Sequence, residues 1–189
     1  MNTTPRRARA LVAGALVATA LTGCTSGSSA GGTPEGWTRH DVGHLSVAVP
    51  EGWTALDEGD DLWTVGWADA DDLADASALL IGSPDYGTNG AEDGLSTFVA
   101  GAQIGGVPGY TSTSRTTPVD TDELEVARND YTYVDGAGTR FQGVFWAAAE
   151  PASGTTVALQ LTGEELAEDL VGTIQDSIRV REAGGAATS

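Results

Sequence analysis

The sequence predicts an α+β domain in which an antiparallel sheet is flanked by helices. Three observations support this class: short segments of alternating apolar and polar residues, two segments with a helical apolar stripe, and turn residues between them. The strand-like segments follow one another as hairpins, with one helix inserted among them and one after them, which is typical of α+β folds. The predicted domain covers residues 37–181, and no internal repeat divides it.

The first 23 residues predict a secretory signal peptide. Three arginines precede an apolar run over 11–21, which is shorter than the roughly 20 residues that a membrane-spanning helix needs. The run ends in Leu21-Thr22-Gly23-Cys24, which resembles the lipobox of bacterial prolipoproteins. The resemblance implies that Cys24, the only cysteine of the chain, is lipidated and becomes the mature N-terminus. The alternative is cleavage by ordinary signal peptidase, which would leave Cys24 as a free thiol.

Residues 24–36 predict a flexible tether between the lipid and the domain, because glycine, serine and threonine dominate them. Residues 182–189 predict a disordered tail, because they are small and polar and end the sequence. We therefore expect the protein at the extracytoplasmic face of the cell membrane, held there by the lipid on Cys24.

The first half of the domain predicts three strands and a loop. Apolar and small residues alternate over 45–49 before a turn over 50–53, and apolar segments over 62–67 and 78–81 indicate two further strands. Residues 82–90 predict a loop, because glycine, proline, asparagine and aspartate are dense there.

An amphipathic helix is predicted after this loop. Its apolar stripe has helical spacing and consists of Leu95, Phe98, Val99 and Ala102. Asn89 and Glu92 are three residues apart, which predicts a side-chain cap at the start of the helix.

The second half of the domain predicts four strands, over 110–117, 124–134, 141–147 and 156–161. The first is rich in threonine and serine and is expected at an edge of the sheet. In the second, the apolar phase shifts by one residue, which predicts a bulge near Arg128 and Asn129. Residues 135–138 predict a hairpin turn. The third strand is apolar on both faces, so we expect it at the centre of the sheet.

A final helix is predicted from two signals. Thr162-Gly-Glu-Glu165 has the spacing of a capping box, with acidic residues at the positive end of the helix dipole. Apolar residues then recur every four positions, at Leu166, Leu170, Ile174 and Ile178. Residues 178–181 predict a last short strand.

The segment from Leu45 to Trp53, LSVAVPEGW, is similar to the opening of Mog1/PsbP-like domains. The similarity extends in outline through a mid-chain helix, a meander of long strands and a terminal helix that ends over 174–180. The chain most resembles the lipoprotein branch of that superfamily, of the LpqN type. This resemblance implies an α/β/α sandwich used in accessory or protein-binding roles, and it supplies no catalytic residue.

Charge is the strongest signal of the composition. The chain has no lysine, and six arginines against 27 acidic residues follow position 23, which leaves a formal net charge of −21. This balance excludes nucleic acid as a partner, because no basic patch is available to displace its counterions. It also argues against electrostatic docking on anionic lipid headgroups. A solvated acidic surface is the simplest interpretation.

The sequence contains no motif that predicts catalysis or a cofactor. His40 and His44 are the only histidines, a Gly-x-Ser-x-Gly nucleophile elbow is absent, and a Ser-x-x-Lys dyad needs a lysine. His40, Asp41 and His44 could present metal ligands, but the strand pattern that begins at Leu45 argues against a helical pair. We therefore predict neither a catalytic nor a metal site.

Acidic clusters are a second potential source of metal ligands. They occur at Asp57, Glu58, Asp60 and Asp61 and at Asp69, Asp71, Asp72 and Asp75. Residues 85–90 resemble the start of a calcium-binding loop, but the twelfth position is Ser96, where calcium requires a bidentate glutamate. Whether these clusters bind calcium is left open by the sequence.

The five tryptophans, at positions 37, 53, 63, 67 and 146, are a further potential clue. Trp63 and Trp67 are four apart in a strand-like segment, so they are expected on one face. If exposed, they would suggest a binding surface for a partner or a sugar. If buried, they would fill the space between sheet and helix.

These observations favour a lipid-anchored accessory or protein-binding lipoprotein without catalytic activity and with a protein partner of unknown identity. Two alternatives remain: a carrier of a small apolar ligand or lipid, and an enzyme of unrecognised type. Cys24 is the single predicted modification site.

Overall fold

The computed structural model describes residues 32–56 and 62–182. This part of the chain forms ten strands and two α-helices in an α+β fold, as the sequence predicts. The elements are β1 (Trp37–Val42), β2 (Leu45–Pro50), β3 (Thr54–Ala55), β4 (Val65–Ala68), β5 (Ala78–Gly87), α1 (Ala91–Gly101), β6 (Thr111–Asp120), β7 (Glu125–Val134), β8 (Arg140–Ala149), β9 (Thr156–Gly163), α2 (Glu168–Ser177) and β10 (Arg179–Val180). A π-helical turn over Ala102–Gly106 continues α1.

Seven strands form one antiparallel sheet in the order β3-β4-β5-β9-β8-β7-β6. Strand β8 lies inside this sheet and is buried on both faces, which confirms the prediction from its two apolar faces. Val144 and Trp146 belong to one hydrophobic core, and Phe145 and Ala147 belong to the other. Strand β6 is the exposed edge, also as predicted.

The first core lies between the large sheet and a layer made of α2 and a second sheet. This second sheet has the antiparallel order β1-β2-β10. Leu45, Val47 and Val49 of β2 point into the core, where they join Trp146 and Ile174. The alternation that predicts this strand therefore places its apolar residues inward.

The second core lies under α1 on the opposite face of the large sheet. Leu95 is fully buried there, and Phe98 stacks on Phe145 with ring centroids 4.0 Å apart. Tyr131 is also buried, and its hydroxyl accepts a hydrogen bond from Nε2 of Gln160 at 2.6 Å. The helical stripe predicted for this segment is confirmed, since it is the face that covers the sheet.

The predicted loop over 82–90 is wrong for most of its length, because β5 continues to Gly87. A β-carbon at Gly82 would lie 2.9 Å from side-chain atoms of both Leu45 and Val65. Glycine is therefore required there by the close approach of neighbouring strands, and a turn is not its cause.

The predicted cap of α1 is also wrong. The helix starts after Gly90, and neither Asn89 nor Glu92 caps it. Glu92 instead binds Arg115 and Thr117 of β6 at 2.9 and 2.6 Å. The backbone N–H of Ala91 donates to the Glu125 carboxylate at 3.3 Å, so a distant strand supplies the acceptor that the local sequence does not.

The capping box predicted for the last helix is wrong as well. Thr162 belongs to β9, and α2 begins only at Glu168, after Ala167 in an extended conformation. The apolar stripe is confirmed in part: Ile174 and Ile178 are fully buried, but Leu166 precedes α2 and Ile178 follows it in an extended conformation. The other two leucines of the stripe are half-buried against the same core. The short last strand exists as β10.

No bulge interrupts β7 at Arg128 and Asn129, since β7 and β8 pair without a register shift. The register shifts lie in the pairing with β6, between Ser112 and Ser114 and again further along that strand. The change of apolar phase in β7 has another cause. Val126 faces the first core and Tyr131 faces the second, so the two halves of the strand are covered by different layers.

Candidate functional site

An open groove of about 490 Å³ lies between α2 and the large sheet. Its floor is formed by alternate residues of β7 and β8, and one of its walls is formed by α2. We call it the α2 groove. Its floor residues are Arg128, Asp130, Thr132, Gln142 and Val144, and its wall residues are Leu166, Glu168, Val171 and Gly172.

The antiparallel register explains why polar side chains gather on this floor. Asp130 lies opposite Val144, and Thr132 lies opposite Gln142. Residues paired in this way point to the same face of a sheet, and alternate residues along a strand do the same. Polar side chains of both strands therefore point at α2 over the stretch where the helix leaves the sheet partly uncovered.

A hydrogen-bonded network fixes the inner end of the groove. Nε of Arg128 donates to Asp130 at 2.7 Å, and Nη1 of Arg128 donates to Oε1 of Gln175 at 3.0 Å. The same Gln175 oxygen accepts from the indole N–H of Trp146 at 3.3 Å. The Arg128–Asp130 ion pair is about three-quarters buried, so its geometry is restrained by packing as well as by charge.

The wall of the groove combines apolar and polar groups. Leu166 and Val171 supply apolar surface, and Glu168 adds a negative charge at the rim. Oε1 of Gln142 accepts a hydrogen bond from the backbone N–H of Leu166 at 3.0 Å, which ties the floor to the segment before α2. Because Arg128 and Asp130 neutralise each other, the groove suits a ligand group that is neutral or positively charged.

Gly172 is the least expected residue of the groove. It stands in the interior of α2, where glycine costs about 1 kcal/mol relative to alanine. A β-carbon at this position would meet no atom within 4 Å, so packing inside the protein does not require glycine. Its absence of a side chain keeps the groove open and lets an occupant approach the helix backbone closely.

Aromatic rings fill most of the space between α1 and the sheet, and an open groove of about 230 Å³ remains beside the start of the helix. Rings of Trp63, Tyr86, Phe98, Tyr131 and Phe145 contact one another there with centroids 4.0 to 6.2 Å apart. Burial raises the pKa of Tyr131, which keeps its phenol protonated. This layer is therefore packed as a core.

The two histidines serve different contacts. His40 packs on Trp67 with ring centroids 5.0 Å apart, and burial lowers the pKa of His40 despite the nearby charge of Asp41. Nδ1 of His44 donates to the carbonyl oxygen of Arg181 at 2.7 Å. Asp41 forms an ion pair with Arg181 at 2.7 Å. In residues 32–56 and 62–182, no group of three or more metal-ligating side chains is gathered.

Trp63 and Trp67 do not share a face, so that prediction is wrong. Trp67 is 4% exposed and belongs to the first core, whereas Trp63 packs against the second. The reason is that Trp63 precedes β4, so a strand's alternation does not relate the two residues. Both side chains pack inside the protein, which agrees with the second interpretation of the sequence, in which they fill space and do not form a binding surface.

The acidic cluster after β4 closes a turn. Oδ1 of Asp69 accepts hydrogen bonds from the backbone N–H groups of Ser77 and Ala78 at 2.8 and 3.1 Å. Asp71 accepts from the hydroxyl of Thr54 at 2.6 Å. Residues 85–96 do not form a calcium loop, because they are divided between β5 and α1. The cluster over 57–61 lies outside the described residues.

Replacing Asp69 with asparagine is expected to lower the free energy of unfolding at pH 7 by about 1 kcal/mol, as for a lost capping carboxylate. Burial acts to raise the pKa of Asp69, but hydrogen bonds from the Ser77 hydroxyl and from the Ala78 and Ser77 N–H groups lower it overall. A lowered pKa stabilises the fold at neutral pH, and this contribution begins to decline below about pH 4 and is lost as the pH falls through the lowered pKa of the folded state.

Urea unfolding at pH 7 and pH 3 tests this expectation. The wild type and Asp69→Asn should differ at pH 7, and the difference should be smaller at pH 3. Asp75→Asn in the same loop is the matched control, because the Asp75 carboxylate accepts no hydrogen bond from the described residues. An equal loss at both pH values would contradict the role given to the Asp69 charge.

Cys24, the predicted signal peptide and residues 24–31 of the predicted tether lie outside the described residues, as does the tail after residue 182. None of the helices in the part of the chain that the structure describes is long and apolar enough to cross a membrane. The lipidation of Cys24 stays a prediction.

Sequence reasoning missed the α2 groove. Its floor and wall come from residues 128–144 and 166–172, which only the sheet register and the position of α2 bring together. One signal was available: Gly172 interrupts an otherwise regular amphipathic helix, and an unexplained glycine in a helix points to a packing or functional requirement.

No protein-family model matches the chain, and no curated protein matches it either. Among solved structures, the chain is similar to the crystal structure of LpqN, described as involved in cell envelope biogenesis of Mycobacterium tuberculosis. The similarity covers 75% of this chain and 84% of that one, at 17% sequence identity and a TM-score of 0.43.

Proposed function

We propose that the protein is a lipid-anchored accessory protein of the extracytoplasmic membrane face that binds a protein partner in the α2 groove and acts without catalysis. The observation that carries this proposal is the groove itself, kept open by Gly172 in the middle of a helix. The lipobox-like sequence that ends at Cys24 supports the anchorage.

The chemistry of the groove favours a polypeptide occupant. Thr132 and Gln142 offer hydrogen-bonding groups along the floor, while Leu166 and Val171 offer apolar contact along the wall. A peptide segment presents backbone polar groups and apolar side chains together, and grooves that bind peptides usually match both. The missing β-carbon at Gly172 leaves room for a main chain to lie against α2.

The charge of the chain narrows the class of partner. The net charge of −21 after position 23 repels acidic proteins, and Glu168 adds a negative group at the groove rim. We therefore expect a segment that is neutral or carries positive charge, since complementary fields accelerate association and like charges oppose it.

A photo-reactive amino acid at Glu168, on the exposed rim of the groove, tests the proposal in living cells. We expect capture of one recurrent partner, and capture should fall by at least about tenfold in Gly172→Trp, because an indole fills the groove. Amine-directed linkers are unsuitable, since the chain has no lysine.

Gly101→Trp is the matched control. Gly101 ends α1 on the other side of the sheet, and a β-carbon there also meets no atom within 4 Å. Capture should be unchanged in this variant. Equal capture by Gly172→Trp and Gly101→Trp would show that the partner does not occupy the groove. Copurified small-molecule mass in native mass spectrometry, without any captured protein, would favour a ligand carrier instead.

A further inference from the structure

Two arginines lie on the same face of the small sheet, on the side away from the first core. Arg39 of β1 lies opposite Ala48 of β2, and Arg179 of β10 lies opposite Ser46 of β2. Ser46 and Ala48 are two residues apart, so all four side chains point to one face of the sheet. Nη1 of Arg39 donates to Oγ of Ser46 at 3.0 Å, which brings its guanidinium toward Arg179.

Neutral oxygens hold both guanidinium groups in place. Nη1 of Arg39 also donates to the carbonyl oxygen of Ser177 at 3.0 Å, and Nη1 of Arg179 donates to the carbonyl oxygens of Asp176 and Ile178 at 2.8 and 2.6 Å. These carbonyl groups lie at the C-terminal end of α2, where the helix dipole favours positive charge. A guanidinium has five N–H donors, so both groups retain donors beyond these bonds.

Neither arginine forms an ion pair within residues 32–56 and 62–182. This is unexpected in a chain with 27 acidic residues, and Arg115, Arg128 and Arg181 all have carboxylate partners. The nearby carboxylate of Asp41 is bound to Arg181.

Two further observations indicate that Arg39 is unfavourably placed: the charge of Arg179 acts on it, and one of its nitrogens has no partner among the described residues. Burial lowers the pKa of Arg39, and the charge of Arg179 lowers it further, while Asp41 compensates in part. In addition, Nε of Arg39 is buried without a hydrogen-bond partner. The repulsion between the two like charges costs free energy, which an anion in contact with both guanidinium groups would recover.

We propose that Arg39 and Arg179 form a binding site for a phosphate group. One guanidinium already satisfies the two oxygens of a carboxylate, whereas a tetrahedral phosphate offers oxygens to two guanidinium groups at once. The net negative charge of the protein does not prevent this, because fields are screened over about 8 Å at physiological ionic strength and only nearby charges act. The phosphate comes either from a membrane lipid headgroup or from a soluble molecule.

Titration with inorganic phosphate tests the site while both arginines are in place. The protein used is the full chain with the substitution Cys24→Ser. We expect the side-chain Nε–H signals of Arg39 and Arg179 to shift saturably in NMR spectra, with a dissociation constant in the millimolar range. The signal of Arg140 should not shift, because this arginine also has no ion pair with any described residue but lies at the start of β8, away from the small sheet. Absence of a saturable shift at Arg39 and Arg179 would overturn the proposal, as would equal shifts at all arginines.

Variants give an independent measurement. Phosphate at a concentration of roughly ten times the dissociation constant should raise the Tm of the protein that retains both arginines by about 3 °C. Arg179→Gln should reduce this increment by at least half, and Arg140→Gln should leave it unchanged. Each comparison is made against the same variant in chloride of equal ionic strength, so a lower starting Tm does not affect the result.

Vesicles identify the source of the phosphate group. If the site takes lipid headgroups, the Cys24→Ser chain should sediment with phosphatidylglycerol vesicles but not with phosphatidylcholine vesicles, and free phosphate should release it. If the site binds only soluble phosphates, the protein should not sediment with either kind of vesicle, although the NMR signals of Arg39 and Arg179 still shift. The test is independent of the α2 groove, so Gly172→Trp should leave phosphate binding intact.

Discussion

Replacing Cys24 with serine is expected to move the protein from the membrane fraction to the soluble fraction. A single acyl chain binds a membrane marginally, but the diacylated cysteine of a bacterial lipoprotein buries at least two chains at about 0.8 kcal/mol for each methylene group. If Cys24 carries these lipids as predicted, the anchor of the wild type would be effectively permanent. Fractionation followed by mass measurement of the intact chain tests both location and modification.

Thr25→Ser, one residue after the lipobox-like segment, is the control and should stay in the membrane with the mass of the lipids. A Cys24→Ser protein that remains in the membrane pellet would refute the anchor. A wild-type chain that is soluble and unmodified would favour ordinary cleavage. Loss of partner capture by Cys24→Ser alone would show that the partner is met only at the membrane.

The elements that the sequence predicts correctly depend on contacts within one segment or on one burial pattern. The stripe that begins at Leu95 forms a helix face because all its members cover the same sheet. Strand β8 is apolar on both faces because both are buried. In each case, periodicity alone carries the information.

The errors arise where a distant element determines the local structure. Gly82 indicates a turn when considered locally, but it is small because Leu45 and Val65 approach it. The start of α1 is capped by Glu125 of β7 and not by a neighbour in sequence. A single sequence carries no direct record of such contacts, so these features are visible only in the three-dimensional arrangement.

The candidate sites illustrate the same limit. The arginine pair joins positions 39 and 179, which are 140 residues apart, and it depends on β2 lying between β1 and β10. The sequence shows how few arginines there are, but only the fold shows which of them are paired with carboxylates. Charge composition alone therefore argues against anionic ligands, whereas the local geometry at Arg39 and Arg179 supports one.

Replacing Gly143 with alanine is expected to destabilise the protein by about 3 kcal/mol, at the upper end of the cost of overpacking a core. Gly143 of β8 lies opposite Tyr131 of β7, and a β-carbon there would fall within the Tyr131 ring. Tyr131 is only 1% exposed and is bound to Gln160 through its hydroxyl, so the ring has little freedom to move. Urea unfolding followed by tryptophan fluorescence measures the loss.

Gly172→Ala separates this steric effect from the general effect of removing a glycine. With open space around its β-carbon, this variant should stabilise α2 by about 0.5–1 kcal/mol. Combining Gly143→Ala with Tyr131→Ala should cost less than the sum of the single changes, because the new methyl group then occupies space that the ring has left. Strict additivity would mean that Gly143 acts through the flexibility of β8 and not through the ring. The opposite signs expected at Gly143 and Gly172 distinguish a glycine that the core requires from one that only an external occupant would require.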